Sequence, residues 1–146
     1  MSSALPDFLQ PRPDTPVVVH PPQGALLPLV CDSPHSGTAY PAAFGVAVPL
    51  GLLRRGEDTD VHRLWDALPE HGATLIEATF PRTYIDPNRT EGDINPAMLD
   101  SEWPVPLHPG PKTLQGLGLV WERISQAGQS TPMYERKLSV AEVQQR

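Results

Sequence analysis

The sequence predicts an α/β domain. Three observations carry that reading: an apolar strand-like run at residues 25–31, a stripe of helical period within 58–71, and a β-branched run at 73–80. A strand, a crossover helix and a second strand form a βαβ unit, the building block of that class. The 146 residues suit one domain of ordinary size. A chain of that length buries roughly two-thirds of its unfolded surface, so it needs neither metal nor disulfide merely to fold. Proline is abundant at 19 residues, well above the usual ~5%, which predicts many irregular connections.

Each element follows in order. Pro6, Pro11, Pro13 and Pro16 forbid a helix at the start, so residues 1–24 read as a Pro-rich arm ahead of a domain at 25–146. Within the arm, Val17–Val19 has the makings of a short edge strand. "ALLPLVC", 25–31, reads as a strand, with Pro28 a warning because proline cannot donate to a ladder. A polar loop, "DSPHSGTAYP", follows at 32–41. A short helix is expected near 49–54. In "DTDVHRLWDALPEH", Val61, Leu64, Trp65 and Leu68 fall at i, i+3, i+4 and i+7, which predicts a helix over 58–71 with one buried stripe. Asp58 or Thr59 can cap it, and Gly72 fits the stop. "ATLIEATF", 73–80, is rich in β-branched residues and predicts a strand. A short strand is expected at Arg82–Ile85, then a turn at Asp86-Pro87-Asn88. Residues 96–116, with five prolines, read as an extended loop. "SVAE", 139–142, has capping-box form and predicts a helix start.

Charge and cysteine content narrow the function classes. The net charge is −6 and no Lys/Arg run exists, so the basic face a nucleic-acid partner requires is absent. No stretch approaches the ~20 apolar residues of a membrane span. The single cysteine, Cys31, excludes an intrachain disulfide and suits a reducing cytoplasm.

Three stretches carry residues fit for chemistry. His35 stands in a tight turn after a strand, the place where open α/β sheets put ligands. It can ligate a metal or act as a base, and Ser33, Ser36 and Gly37 beside it supply hydroxyl and backbone donors. The alternative is a turn histidine with a hydrogen-bonded ring. In "EDTD", 57–60, three acids crowd a helix start. Capping accounts for one; their mutual repulsion favours a counter-charge or cation near the others. Spacing leaves Asp58 and Asp60 both open as the inward-facing acid. In "PRTYIDPNR", 81–89, Arg82 and Arg89 can each grip a carboxylate through paired hydrogen bonds, with the Asn88 amide alongside. The alternative there is a surface loop with Arg89 paired to Glu91 or Asp93, and Asp86 a local turn-former. No nucleophile elbow, phosphate-binding glycine loop, C-x-x-C or H-E-x-x-H is present.

Taken together, "PHSGTAYP" at 34–41, "EDTDVHRLWDALPEHGATLIEATFPR" at 57–82 and "YIDPNR" at 84–89 resemble the N-formylglutamate amidohydrolase (N-formylglutamate deformylase) family. "GLGLVWERI" at 116–124 and "MYERKLSVAEV" at 133–143 fit as well. The resemblance implies a three-layer α/β fold with a mixed sheet, hydrolase-like and related to zinc-dependent carboxypeptidases. It implies Zn2+-assisted hydrolysis of N-formyl-L-glutamate or a similar small N-acyl amino acid. His35 is then a metal ligand, with Asp58 or Asp60 as a second. Arg82, Asn88 and Arg89 hold substrate carboxylates with help from Ser36, and Arg82 is the catalytic candidate. Family members continue beyond the equivalent of Arg146 and supply another histidine ligand and an acidic general base there. The domain is therefore expected to be incomplete, the front half of such an enzyme, and a non-catalytic relative that binds a carboxylate is the alternative.

Overall fold

Three short strands that contain β-branched residues build the first sheet of the computed structural model, which describes residues 15–146. Strands β1 (Val17–His20), β2 (Val30–Ser33) and β3 (Thr74–Ala78) run in the order β1-β3-β2. β1 pairs antiparallel with β3, and β2 pairs parallel with it. The sheet is thus mixed and the class α/β, as expected. Residues 1–14, most of the predicted arm, lie outside the described residues.

Several expectations need correction. The strand foreseen at 25–31 forms later, at Val30–Ser33, because Pro28 withholds a ladder donor. The helix foreseen over 58–71 does not form. Two 3-10 turns, Val61–Trp65 and Pro69–His71, stand there instead. Asp60 starts the first with φ 59° in the left-handed region, and Pro69 opens the second. The expected buried stripe is exposed at Val61, Leu64 and Trp65, and a short helix with no surface to bury its stripe against is marginal. Arg82–Ile85 is a turn, not a strand. Cys31 is half-buried.

The remaining elements are α1 (Leu50–Leu53), the hairpin β4 (Arg123–Gln126) and β5 (Gln129–Pro132), and α2 (Val140–Gln145). Ala127 and Gly128, both with positive φ, close the hairpin, as a two-residue turn that matches strand twist requires. The Ser139 hydroxyl caps α2 by accepting from the Glu142 amide at 3.1 Å. Glu142 does not reach back as a capping box would. Its carboxylate instead accepts from Arg136 and Arg146.

Two apolar clusters hold the fold. Phe44, Val48, Leu53, Trp121, Ile124 and Met133 form one; Ile94, Met98, Leu99, Val120, Leu138 and Val143 form the other. Val120 and Trp121 are adjacent yet serve different clusters, as neighbours on an extended segment do. That segment also anchors the loop of interest, since Leu119 accepts from the Asp86 amide at 2.8 Å. No helix among the described residues is long and apolar enough to cross a membrane.

Candidate active site

Parallel pairing of β2 with β3 delivers the 34–39 loop to the end of the sheet. The Ala39 amide donates to Thr79 O at 2.8 Å, which lays the loop along the end of β3. Gly37 makes this approach possible: a Cβ there would strike the Phe80 carbonyl oxygen and the Thr79 carbonyl group. Neither obstacle is a side chain that can swing aside. Gly37→Ala is therefore expected to destabilise by about 1–3 kcal/mol, as overpacking does. A urea midpoint unchanged from wild type would show that the loop does not lie so close.

His35 is buried in this loop, and both ring nitrogens meet carboxylates. Nδ1 lies 3.2 Å from Asp58 Oδ2, and Nε2 lies 3.0 Å from Asp86 Oδ1. Asp58 is half-exposed, whereas the Asp86 side chain is fully buried. Asp86 is the hub of the site. Oδ1 also accepts from the Asn88 amide at 3.0 Å, and Oδ2 accepts from Arg82 at 2.9 Å and from the Trp121 indole at 3.1 Å. Burial alone would raise the Asp86 pKa. The Arg82 hydrogen bond and charge, the Asn88 amide and the Trp121 indole outweigh burial and hold it below the ordinary carboxylate range. The Asp-Pro step in "YIDPNR" marked a turn, and nothing local in it showed that Trp121, 35 residues on, would bury that carboxylate.

The three acids of 57–60 part company rather than share one counter-charge. Glu57 accepts from the Tyr40 hydroxyl at 2.6 Å and Arg54 at 3.3 Å; burial, then Glu57 itself, raise the Tyr40 pKa. Asp58 goes to His35. Asp60 turns to Arg63, 3.7 Å away, and is more than half exposed. Of the two acids left open by spacing, the fold brings Asp58 to the imidazole, and none of the hydrogen bonds or ion pairs of Asp60 reaches it.

The substrate-grip candidates divide. Arg82 stacks over the Trp121 ring at 5.0 Å, bonds Asp86 and lies 3.7 Å from Asp58. Its Nε is buried without a hydrogen-bond partner among the described residues. Arg89 donates to Leu117 O and Asn88 O, with NH2 3.8 Å from Asp86. It pairs with neither Glu91 nor Asp93. Asn88 is exposed, and its side-chain amide bonds no described group. The Ser36 hydroxyl is already engaged. It donates to Asp58 O at 2.8 Å, accepts from the His62 amide at 3.3 Å and meets Ser33 Oγ at 3.1 Å. Ser36 thus ties the Asp58 loop to the His35 loop. The cluster as a whole is one imidazole between two carboxylates, with two guanidiniums and a free amide beside it. Such a set can hold a cation and an anion side by side.

The carboxylates also set the response to acid. Asp93, bonded by Thr113 and then by the Gly110 amide, is held low. Glu142 is held low chiefly by Arg136. With Asp86, these groups bind protons less tightly folded than unfolded. The stability they contribute is complete above the unfolded values near ~4 and is lost as pH falls through the lower folded ones. Glu122, raised by burial despite Asn95, opposes this in part, since its contribution is lost as pH rises through its folded value. Urea midpoints are expected to drop as pH falls below about 4. A flat profile from pH 6 to about pH 3 would contradict the three depressed carboxylates.

Comparison with known proteins places this geometry. A family model described as N-formylglutamate amidohydrolase matches residues 27–146. A crystal structure of an N-formylglutamate amidohydrolase from Ralstonia eutropha JMP134 superposes with a TM-score of 0.84 at 58% identity. The match covers 90% of this chain and 46% of that one, so this chain spans less than half of that protein's length. Nothing among the curated proteins matches.

Proposed function

The chain belongs to the N-formylglutamate amidohydrolase family, and we propose that it supplies the cation-holding and carboxylate-gripping part of a metal-assisted amide hydrolysis. The proposed substrate is N-formyl-L-glutamate or a similar N-acyl amino acid, and the proposed ion is zinc. A kinship of the fold with zinc-dependent carboxypeptidases belongs to the same proposal.

One observation carries the reading: His35 has a carboxylate at each nitrogen. A neutral imidazole offers one N–H and one lone pair. Asp86, held ionised by its donors, accepts the hydrogen bond of an Nε2–H. The Nδ1 lone pair then faces Asp58 Oδ2 at 3.2 Å, acceptor against acceptor. A second proton or a cation is needed between them. Zinc fits: ligand bonds of about 2.0–2.2 Å in a tetrahedral site put two ligand atoms roughly 3.3 Å apart. The Asp86–His35 contact also has the form that orients a metal-bound imidazole from behind. His35 Nδ1 and Asp58 would hold the ion. Among the described residues no third ligand completes the set.

When bound, such an ion polarises a carbonyl and lowers the pKa of its water. The protein's own groups do the rest. Asp86 fixes the ring and its tautomer. Ser36 holds Asp58 in place by bonding its carbonyl. Asn88 and Arg89 present donors for a substrate carboxylate. Arg82, anchored by Asp86 and Trp121, gives one of its five N–H groups to Asp86 and keeps NH1 donors beside Asp58 for a substrate oxygen.

A second reading, carboxylate binding without turnover, is favoured by the ligand count. The described residues give two ligands, whereas catalytic zinc commonly takes three. Calorimetry with N-formyl-L-glutamate, with and without Zn2+, separates the two. Zinc-strengthened binding with formate release supports hydrolysis; binding without formate supports the second reading. A folded chain that binds no N-acyl glutamate in either condition would refute both.

A further inference from the structure

A cleft of about 210 Å³ lies between the Pro96–Met98 turn and residues 132–138, and it shares no lining residue with the His35 cluster. It is smaller than the ~300–1,000 Å³ of drug-sized sites, so its guest is a small molecule. Met98 and Leu138, both buried in the second apolar cluster, give it an apolar wall. Its charged groups are one acid, Glu122, and three cations, Arg123, Arg136 and Lys137.

Glu122 is held in place yet short of partners. Its amide donates to Gly116 O and its carbonyl accepts from Met133 N, which fixes the backbone. Both carboxylate oxygens accept from the single Asn95 Nδ2, each at 3.0 Å. Asn95 is itself fixed, because its Oδ1 accepts from Ala97 N. A carboxylate offers about four acceptor sites, and no other described group bonds this one. The guanidiniums of the cleft are engaged elsewhere: Arg123 donates to Ser130, and Arg136 to Glu142 and Lys137 O. Burial raises the Glu122 pKa against the Asn95 bond and the Arg123 charge, the condition a bound cation relieves. Lys137 is exposed, and its ammonium bonds no described group.

We propose that this cleft is a binding site for a small aliphatic α-amino acid. The ammonium of the guest bonds Glu122, its carboxylate meets Lys137, and its side chain lies on Met98 and Leu138. A simple cation would gain Glu122 but face three positive side chains. A simple anion would meet a desolvated carboxylate. A zwitterion complements both signs at once. The site stands apart from the proposed function, since none of its residues belongs to the cation-holding or carboxylate-gripping groups.

The experiment titrates L-leucine into the 15N-labelled 146-residue chain and follows the Asn95 side-chain NH2 resonances. Saturable shifts are expected at about millimolar leucine, as a ligand of so few heavy atoms allows. N-acetyl-L-leucine, which lacks the ammonium, and 3-methylbutylamine, which lacks the carboxylate, are each expected to bind at least tenfold more weakly. Glu122→Gln and Lys137→Glu are each expected to weaken leucine binding at least tenfold. Lys137→Glu alters an exposed side chain, so it decides the matter even if Glu122→Gln fails to fold. Unmoved Ile94 and Val120 amides report that a variant is folded. Absence of a saturable Asn95 shift at roughly ten times that concentration would overturn the proposal. So would leucine binding indifferent to Lys137→Glu. Amine binding as tight as that of leucine would make the cleft a plain cation site and overturn it too.

Discussion

Asp86→Ala is expected to cost about 3–5 kcal/mol of stability, the usual penalty for removing one partner of a buried charged pair. The carboxylate is fully buried and accepts from four donors on His35, Arg82, Asn88 and Trp121. Removing it leaves the Trp121 indole N–H buried without a partner and the Arg82 guanidinium with only the more distant Asp58. Asp86→Asn is expected to be costly too. Every position around the carboxylate is a donor, so an amide NH2 must oppose one of them. Urea unfolding followed by tryptophan fluorescence measures both. A loss below about 1 kcal/mol for the alanine variant, at unchanged m-value, would show that the hub is not what joins the His35 loop to the 82–89 loop.

His35→Ala and Asp58→Asn are each expected to weaken Zn2+ affinity at least a hundredfold, while Asp60→Asn leaves it within twofold. The contrast rests on position. Asp58 Oδ2 sits 3.2 Å from the imidazole, and Asp60 is an exposed partner of Arg63. Asp86→Asn, which alters the support behind the ring rather than the ligand itself, is expected to fall between, at about 10–100-fold. Competition with a chromophoric chelator reads all four variants. Equal losses for Asp58→Asn and Asp60→Asn would mean that the ion is held by general acidity and not by the imidazole pair.

Local signals made part of this structure legible from sequence. β3 formed where Thr74–Ala78 is β-branched, α1 formed between Pro49 and Arg54, and Ser139 capped α2. His35 stood out because a polar turn after an apolar run has few other uses. Most of the misses turn on partners distant in sequence. The 58–71 stripe has the period of a helix, but a period only makes a helix when a surface receives it, and Leu64 and Trp65 stay exposed. Asp86 read as a turn residue because its partners His35 and Trp121 lie 51 positions before it and 35 after it. The β4–β5 hairpin closes on Ala127-Gly128, a weaker signal than Asn-Gly. For Arg89 the sequence left open a substrate grip or, as the alternative, a pair with Glu91 or Asp93. Its guanidinium bonds Leu117 O, because the 116–121 segment folds back against the loop.

The 15N resonances of the His35 ring, followed through a zinc titration of this 15.9 kDa chain, report whether the imidazole binds the ion. The proton is expected on Nε2, donated to Asp86, before and after zinc. The Nδ1 resonance alone is expected to move, reaching its end point at one equivalent. A proton on Nδ1 in the metal-free protein, or an Nδ1 signal that ignores zinc while the fold is intact, would contradict that assignment.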